Sequence, residues 1–113
     1  MIKQLETTSF PLAAEVIRTS FMTVANELGL TEENCPKYVS FITTAERLQT
    51  QRERGWWLYG YFEEEQLVGY VSISKEADGN FEIHNLAVLP ESRHKGYGRK
   101  LRVYPKFCVK LPN

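Results

Sequence analysis

The chain has 113 residues, of which 42% are apolar and 25% are charged. This length and composition predict one globular domain over residues 1–113 and exclude a disordered chain. No apolar run is long enough to span a membrane, and the first residues lack the apolar stretch of a secretion signal. The two cysteines, Cys35 and Cys108, are too few for a disulfide scaffold and lack metal-site spacing. We therefore expect a cytoplasmic protein without a metal.

The net charge is zero, but the charges are divided unevenly along the chain. Residues 1–91 carry seven basic residues and all fourteen acidic ones, which gives a net charge of −7. Residues 92–113 carry seven basic residues and no acid, which gives +7. A basic end on an acidic body favours contact with an anion, and a solvated tail is the alternative.

The first third of the chain reads as a short strand followed by a helix. Residues 2–5 alternate like a strand. An apolar stripe at three- and four-residue spacing then predicts a helix over 11–28, capped by Ser9 and ended by Gly29. The stripe consists of Ala13, Val16, Ile17, Phe21, Val24 and Leu28.

The middle of the chain reads as a second helix followed by three strands. The helix is predicted over 44–54, and aromatic and β-branched residues predict strands over 57–62, 67–73 and 81–88. Asp78-Gly79 is typical of a tight hairpin between the last two strands. Helices followed by an antiparallel meander predict an α+β fold of layers, with a mixed, mainly antiparallel sheet flanked by helices.

The segment after the last strand carries the strongest functional signal. Residues 88–101, with the sequence VLPESRHKGYGRKL, run from the strand through a basic loop into a helix. Gly96 and Gly98 let the backbone turn tightly, and free N–H groups at the positive end of a helix form an anion site. The natural ligand of such a site is a phosphate or a pyrophosphate. The basic side chains that add charge to it are Arg93, Lys95 and Arg99.

Two other glycine-containing nucleotide motifs do not fit this segment. A P-loop ends in Gly-Lys-Ser or Gly-Lys-Thr, whereas Gly98 is followed by Arg99-Lys100-Leu101. A Rossmann fingerprint needs a third glycine in a parallel βαβ unit, which an antiparallel meander does not provide.

The same segment resembles the acetyl-CoA signature of the GNAT superfamily of N-acetyltransferases. The family pattern is Arg or Gln, two residues, Gly, one residue, then Gly or Ala, and Arg93, Gly96 and Gly98 fill it. The order of the predicted elements over residues 1–101 is also the order of the family. The resemblance implies direct transfer of an acyl group from the CoA thioester to the primary amine of a small molecule or peptide.

The resemblance also implies how acetyl-CoA, the co-substrate, is held. Main-chain N–H groups of the loop are expected to hold the pyrophosphate. The backbone at the end of the preceding strand is expected to pair with the pantetheine arm. The expected binding residues are Leu86, Ala87, Val88, Arg93, His94, Lys95, Gly96, Tyr97, Gly98 and Arg99.

Two residues of the last strand are candidate catalytic bases, because an amine must lose a proton before it attacks a thioester. Regular alternation places Glu82 and His84 on the face that also carries Leu86 and Val88. By the resemblance, Glu82 matches the glutamate base of histone-acetylating members, and His84 lies where other members carry an acid. The choice between them stays open, and each has a structural alternative as a solvated or hydrogen-bonded strand residue.

The sequence after residue 101 departs from the family pattern. The resemblance implies a fifth strand, a further helix with a tyrosine acid and a closing hairpin, and residues 102–113 match none of these. We therefore expect a C-terminally incomplete domain, with a frameshift or early stop as one origin. Pro105 predicts that the last helix ends near Tyr104, and residues 107–111 are a weak strand candidate. An exposed sheet edge predicts pairing with a second copy of the chain.

Two other functions compete with acyl transfer. A CoA-binding remnant or regulatory module would keep the loop and lack turnover. A nucleic-acid binder would use the +7 end, but this tail is short and the glycine motif is specific, which argues against that function.

Overall fold

The computed structural model describes the main chain of residues 1–108 and the side chains of residues 1–102. Within this part, four strands form one antiparallel sheet, and four α-helices cover its two faces. In spatial order the strands described are β1 (Ile2–Gln4), β2 (Trp57–Glu63), β3 (Gln66–Lys75) and β4 (Phe81–Val88). The helices described are α1 (Phe10–Leu28), α2 (Val39–Ile42), α3 (Ala45–Glu53) and α4 (Tyr97–Cys108). None of these helices is both long and apolar enough to cross a bilayer.

The sheet separates two apolar clusters, which confirms the predicted α+β layers. On one face, Ile17 of α1 and Leu48 of α3 pack on the sheet around Leu58. On the other face, Leu101 of α4 is fully buried in a cluster with Tyr59 of β2. Burying a leucine side chain contributes about 1.5–3 kcal/mol, so this contact holds the start of α4 against the sheet.

Helix α1 begins and ends close to the predicted residues. Its predicted N-cap does not form, and part of its predicted apolar stripe is exposed. Gly29 ends it with a left-handed φ of 69°, as predicted. Ser9 was wrongly predicted to cap it: a 3₁₀ turn over Thr7–Ser9 runs into α1, so Ser9 already has helical angles and its side chain caps nothing. Val24 and Leu28 belong to the predicted apolar stripe, but they are 38% and 68% exposed. The last two turns of α1 therefore carry apolar side chains that no described element covers, whereas the first turns are packed in the core.

Helix α4 runs further than the sequence predicts. It continues from Tyr97 to Cys108, so the prediction that Pro105 ends it near Tyr104 was wrong. A proline removes one main-chain hydrogen bond and bends a helix, but the turns on either side of it can still continue. The strand candidate over 107–111 begins inside this helix, and the rest of that candidate lies outside the described residues.

Strand β4 contains one residue more than the part of β3 that it faces. The pair Val71–Leu86 is followed by the pair Ile73–Ile83, so three steps along β4 match two steps along β3. The extra residue falls at 84–85 and forms a β-bulge. A bulge of one residue reverses the alternation of side chains beyond it.

The bulge overturns the prediction that four side chains of β4 share one face. Leu86 and Val88 pack in the apolar cluster on the α4 side of the sheet. His84 instead stacks on Trp56, which packs against the cluster on the α1 side. Glu82, two residues from His84, lies on the same side as His84. The prediction failed because simple alternation assumes an unbroken ladder.

Candidate active site

The loop between β4 and α4 turns through two residues in the left-handed region. After a 3₁₀ turn over Pro90–Ser92, His94 has a φ of 68° and Gly96 a φ of 82°. Glycine adopts this conformation without steric cost, whereas it is uncommon for histidine. Helix α4 begins at Tyr97, and the N–H of Lys100 donates to the main-chain oxygen of Gly96 at 3.1 Å. Among the described residues, this is the first main-chain hydrogen bond that an N–H group of α4 donates to the loop or to the helix.

The N–H groups that precede Lys100 form a candidate anion site. The first turn of a helix leaves its N–H groups without intrahelical acceptors and carries the positive end of the helix dipole. Tyr97, Gly98 and Arg99 occupy this first turn. The side chains of Lys95 and Arg99 are exposed and add positive charge beside it. These groups fit the anion site that the sequence predicts.

Arg93 lies at the start of the loop and binds two main-chain oxygens. Its Nε donates to the oxygen of Val88 at 3.0 Å, and its Nη2 donates to the oxygen of Ser20 at 2.8 Å. The guanidinium therefore ties the end of β4 to α1. Sequence analysis selected Arg93 for its charge, and the structure gives it a second role in holding the loop.

Glu63, at the end of β2, binds the side chains of Lys95 in the loop and Tyr97 at the start of α4. Its Oε2 accepts from the Tyr97 hydroxyl at 2.5 Å and from Lys95 Nζ at 3.2 Å. The bond from Tyr97, together with that from Lys95, lowers the pKa of Glu63. The same bond raises the pKa of Tyr97 to about 12. Sequence analysis missed this residue because Glu63–Glu65 reads as a solvated acidic turn.

The edge of β4 that faces away from β3 offers main-chain groups for pairing. The N–H of Leu89 donates to the oxygen of Val68 at 2.9 Å. Alternation in an antiparallel ladder then turns the main-chain groups of Leu86 and Val88 away from β3 and those of Ala87 toward it. Of the three residues predicted to line the pantetheine arm, Leu86 and Val88 thus turn their main-chain groups toward the open edge, where the Val88 oxygen accepts from Arg93 and its N–H stays available.

His84 lies at the bulge, in a row of hydrogen-bonded side chains. Its ring stacks on the Trp56 indole, with centroids 4.0 Å apart and an interplanar angle of 8°. Its Nε2 lies 2.6 Å from Ser74 Oγ, which in turn lies 2.5 Å from Glu76 Oε2. Ser74 and Glu76 have no motif spacing, and sequence analysis had no signal that could select them.

Glu82, the other candidate base, pairs across the strands with Ser74 and is exposed. One ligand atom from each of Glu76, Glu82 and His84 lies within 4.8 Å of the other two. Carboxylates and imidazole are common ligands of divalent metals. The expectation that the protein has no metal stays a prediction.

Two open clefts lie near these groups. A pocket of about 390 Å³ opens beside His84 and is lined by residues 54–57 and 74–76. A cleft of about 670 Å³ lies between α1 and the β2–β3 turn, and five glutamates line it together with apolar side chains. The first pocket contains a predicted catalytic residue, and the second has the charge to attract a cation. The five glutamates are Glu15, Glu63, Glu64, Glu65 and Glu91.

Comparison with known proteins places the loop and sheet in one family. Residues 23–102 match the Acetyltransferase (GNAT) family. The chain belongs to the GNAT acetyltransferase family. A search of curated proteins gave no match for this GNAT chain.

Solved structures share the GNAT fold of this chain. PaiA N-acetyltransferase from Thermoplasma acidophilum, in complex with coenzyme A, is 21% identical with a TM-score of 0.81, over 97% of this chain and 71% of that one. Ribosomal-protein-alanine N-acetyltransferase from Brucella melitensis is 19% identical with a TM-score of 0.65, over 97% and 67%. Aminoglycoside 6′-N-acetyltransferase from Enterococcus faecium is 15% identical with a TM-score of 0.65, over 97% and 55%. The chain thus spans 55% to 71% of the length of these proteins.

The GNAT signature coincides with the loop that forms the candidate anion site. Gly96 supplies the left-handed turn, Gly98 lies in the first turn of α4, and Arg93 fixes the loop to β4 and α1. The fold that the resemblance implied, a mainly antiparallel sheet flanked by helices, is confirmed.

Proposed function

We propose that this GNAT chain is an acetyl-CoA-dependent N-acetyltransferase that transfers the acetyl group directly to a primary amine. The loop before α4 carries the proposal, because its N–H groups lie at a positive helix end beside exposed Lys95 and Arg99. This set of donors fits the diphosphate of CoA. The open edge of β4 fits an amide-containing arm that pairs like an added strand.

The residues proposed to bind CoA come from two neighbouring elements. Leu86 and the N–H of Val88 offer main-chain groups to the pantetheine arm, and the buried Ala87 between them holds the strand on the sheet. The N–H groups of residues 94–99 and the side chain of Lys95 hold the diphosphate. Arg93 keeps this loop in register with the strand.

The chemistry requires the chain to bind, orient and deprotonate an amine. Acetyl-CoA, when bound, supplies the acetyl group as a reactive thioester. A lysine-like amine has an ordinary pKa near 10.4 and is protonated at neutral pH, so a base must accept its proton. Glu82 and His84 are the proposed bases, and His84 has a pocket for an acceptor beside it. Positioning of the two reactants supplies much of the rest of the acceleration.

The test combines CoA binding with turnover. Calorimetry with CoA is expected to show binding that survives an increase in salt. Release of free thiol from acetyl-CoA, measured against a panel of amines, is expected to identify an acceptor. Loss of this turnover on His84→Ala or Glu82→Gln, with CoA binding retained, identifies the base. Absence of CoA binding contradicts the proposal.

A second candidate function is a CoA-binding module without turnover. It is supported by the loop before α4 and the open edge of β4, because these two features fit CoA and need no catalytic base to bind it. CoA binding without turnover on any amine supports this function. Salt-sensitive binding to DNA or RNA without CoA binding supports the third function, a nucleic-acid binder that uses the +7 end.

The acceptor we propose is the primary amine of a small molecule or a peptide. The names of two neighbours specify an aminoglycoside and an alanine of a ribosomal protein, and both acceptors present amines. The five-glutamate cleft favours a cationic molecule of either kind. We keep the cytoplasm as the proposed compartment, because the cysteine content shows no disulfide framework.

A homodimer is the partner proposed for the open edge of β4. The main-chain groups of Leu86 and the N–H of Val88 on this edge offer pairing positions to a second copy as well as to a ligand. Sedimentation velocity over a wide concentration range is expected to show self-association that CoA weakens. A monomer at every concentration would contradict it.

A further inference from the structure

The side chains of His84, Ser74 and Glu76 form a row in which Ser74 Oγ lies between the imidazole and the carboxylate. We propose that Ser74 and Glu76 are positioning residues that keep a proton on Nε2 of His84 and leave Nδ1 as the atom that deprotonates the amine. This inference deepens the proposed function and rests on it for its chemistry. The position of the proton itself follows from hydrogen-bond direction alone.

The direction of the row is fixed by the single hydrogen of the Ser74 hydroxyl. An ionised carboxylate only accepts hydrogen bonds, so the Ser74 hydroxyl donates to Glu76 Oε2 across 2.5 Å. Ser74 Oγ then has only lone pairs to offer to His84 Nε2, which lies 2.6 Å away. Nε2 must therefore carry a hydrogen, and the Nδ1 of a neutral ring is left with its lone pair.

The groups that set this direction are held in place. Ser74 is 6% exposed, and the bulge sets His84 diagonally across from it. The N–H of Glu76 donates to the oxygen of Asn80 at 2.7 Å, which closes the β3–β4 turn and holds the carboxylate. Stacking on Trp56 fixes the plane of the imidazole. A base that is already oriented saves the cost of orienting it during the reaction.

Glu82 lacks such support. It is exposed, and no hydrogen bond joins its side chain to any described residue. The structure thus separates the two bases that the sequence left equal, since only His84 is oriented by neighbours.

The proton transfer is balanced in two steps. Nδ1 takes the proton of the ammonium group, the electron pair of that N–H bond stays on the amine nitrogen, and the amine attacks the thioester carbonyl. The C–S bond then breaks with its electron pair on the sulfur, and the second proton that the nitrogen loses as the amide forms converts the CoA thiolate to the thiol. The ring is then an imidazolium with hydrogens on both nitrogens, and it returns its proton to solvent. The charged side chains around the ring are Arg54, Lys75, Glu76 and Glu82.

The first test measures the tautomer without any ligand. The chain has two histidines, so ¹⁵N-histidine NMR gives two ring systems, and His94→Asn leaves only that of His84. At a pH where the ring is neutral, we expect the hydrogen on Nε2 in the wild type and a mixture of tautomers in Ser74→Ala. A hydrogen on Nδ1, or a mixture in the wild type, overturns the proposal whether or not the chain is an acetyltransferase.

The second test measures turnover with acetyl-CoA and the amine found in the panel. Ser74→Ala is expected to lower kcat by about 10- to 100-fold, a part of what a general base contributes. Ser74→Thr keeps the hydroxyl and is expected to restore most of it. Ser40→Ala is the matched control, because this buried serine of α2 donates to the main-chain oxygen of Arg18, away from the row, and is expected to leave the tautomer unchanged. Equal kcat in Ser74→Ala and Ser74→Thr counts against a role for the hydroxyl.

The Glu76→Gln variant separates positioning from packing. A glutamine side chain has an amide nitrogen that can donate to Ser74 Oγ as well as an oxygen that can accept, so the direction of the row is no longer fixed. A mixture of tautomers at His84 is therefore expected in this variant by ¹⁵N NMR, and a hydrogen held on Nε2 alone contradicts the proposal. Failure of every amine to give turnover contradicts the proposed function instead, and the NMR result still decides the tautomer.

Discussion

The guanidinium of Arg93 donates to the main-chain oxygen of Ser20, which lies 73 positions earlier in the chain, at 2.8 Å. A second donor on the same side chain reaches Val88 at the end of β4. One residue therefore connects the first helix, the edge strand and the loop that carries the candidate anion site. The two hydrogen bonds therefore help to hold the loop in its place between the helix and the strand.

Arg93→Ala is expected to lower the free energy of unfolding by about 1.5–3 kcal/mol, because two main-chain oxygens lose a charged donor. It is also expected to weaken CoA binding through the loop. Urea unfolding and calorimetry measure the two effects. Arg99→Ala removes the same charge from an exposed position and is the matched control, expected to leave stability unchanged. Equal stability of the two variants would mean that the contacts of Arg93 contribute nothing.

The two glycines of the loop are expected to respond differently to alanine. Gly96 has a φ of 82°, and a Cβ there meets no atom within 4 Å, so the cost of Gly96→Ala lies in the backbone alone. That cost is about 1–2 kcal/mol for an L residue in the left-handed region. At Gly98 a Cβ lies 3.7 Å from Val88 Cγ2, an ordinary contact, and alanine favours a helix by about 1 kcal/mol.

We therefore expect Gly96→Ala to lower stability and CoA affinity, and Gly98→Ala to keep both. Thermal unfolding with and without CoA measures each pair of values. The same substitution is made at both positions, and only Gly96 has a left-handed φ. A similar loss of stability and CoA affinity in both variants would therefore refute the assigned loop conformation.

The contact between Glu63 and Tyr97 is expected to be visible in titration. The hydrogen bond to Glu63 raises the pKa of Tyr97 to about 12. Glu63→Gln is expected to return the pKa of Tyr97 toward its usual value of about 10. Absorbance titration of tyrosinate in the wild type, Glu63→Gln and Tyr97→Phe isolates this one transition. The assignment is wrong if the transition that Tyr97→Phe removes does not move in Glu63→Gln.

The same contact predicts the sign of a pH effect on stability. The bonds from Tyr97 and Lys95 lower the pKa of Glu63 in the folded state, so its contribution is present above its unfolded pKa. That contribution is lost as the pH falls through the lowered folded value. Urea unfolding below pH 4.5 is expected to show a smaller difference between wild type and Glu63→Gln than at pH 7.

Glu63→Gln is also expected to strengthen CoA binding about two- to fivefold, because it removes a negative charge beside the diphosphate site and releases Lys95. Calorimetry at low and high salt measures the change, which salt should reduce. Glu65→Gln, two residues further along the turn, is the control for net charge. An equal gain in both variants would assign the effect to the overall field.

Gly69→Ala is expected to loosen helix α4. A Cβ at this position would lie 2.8 Å from Leu101 Cδ1 and 3.3 Å from Tyr61 Cβ. Overpacking of this kind costs about 1–3 kcal/mol. Leu101→Ala makes room for it, so the double variant is expected to lose less than the two single variants together. Urea unfolding of the four proteins completes the cycle, and simple additivity would rule out this contact.

Elements with local signals were predictable from the sequence. Aromatic and β-branched runs located the three long strands, and Gly29 marked the end of α1. The Gly96 turn was readable because a basic Gly-x-Gly loop followed a strand. Ser9 and Pro105 were predicted wrongly because each was assigned the usual role of its residue type, a helix cap and a helix end. In the structure, a 3₁₀ turn precedes α1 at Ser9, and α4 continues past Pro105.

The parts of the site that depend on long-range pairing were not predictable. The bulge at 84–85 exists only in the register between β3 and β4, and no single residue announces it. The row through Ser74 and Glu76 depends on that register, and Arg93 finds its acceptor in a helix at the other end of the chain. Such contacts are properties of the folded sheet and not of local sequence.

Because of the extra residue at the bulge, the number of residues in β4 decides which side of the sheet each of its side chains faces. Its two halves are out of phase, so one half directs Glu82 and His84 toward one side while the other half directs Leu86 and Val88 toward the opposite side. Deletion of Asn85 would bring the halves into phase and force one of them to turn over. Either the ionisable pair would then enter an apolar layer, or two aliphatic side chains would leave it for water. Substitutions in β4 are therefore local events, whereas a change of one in its residue count would invert half of the strand.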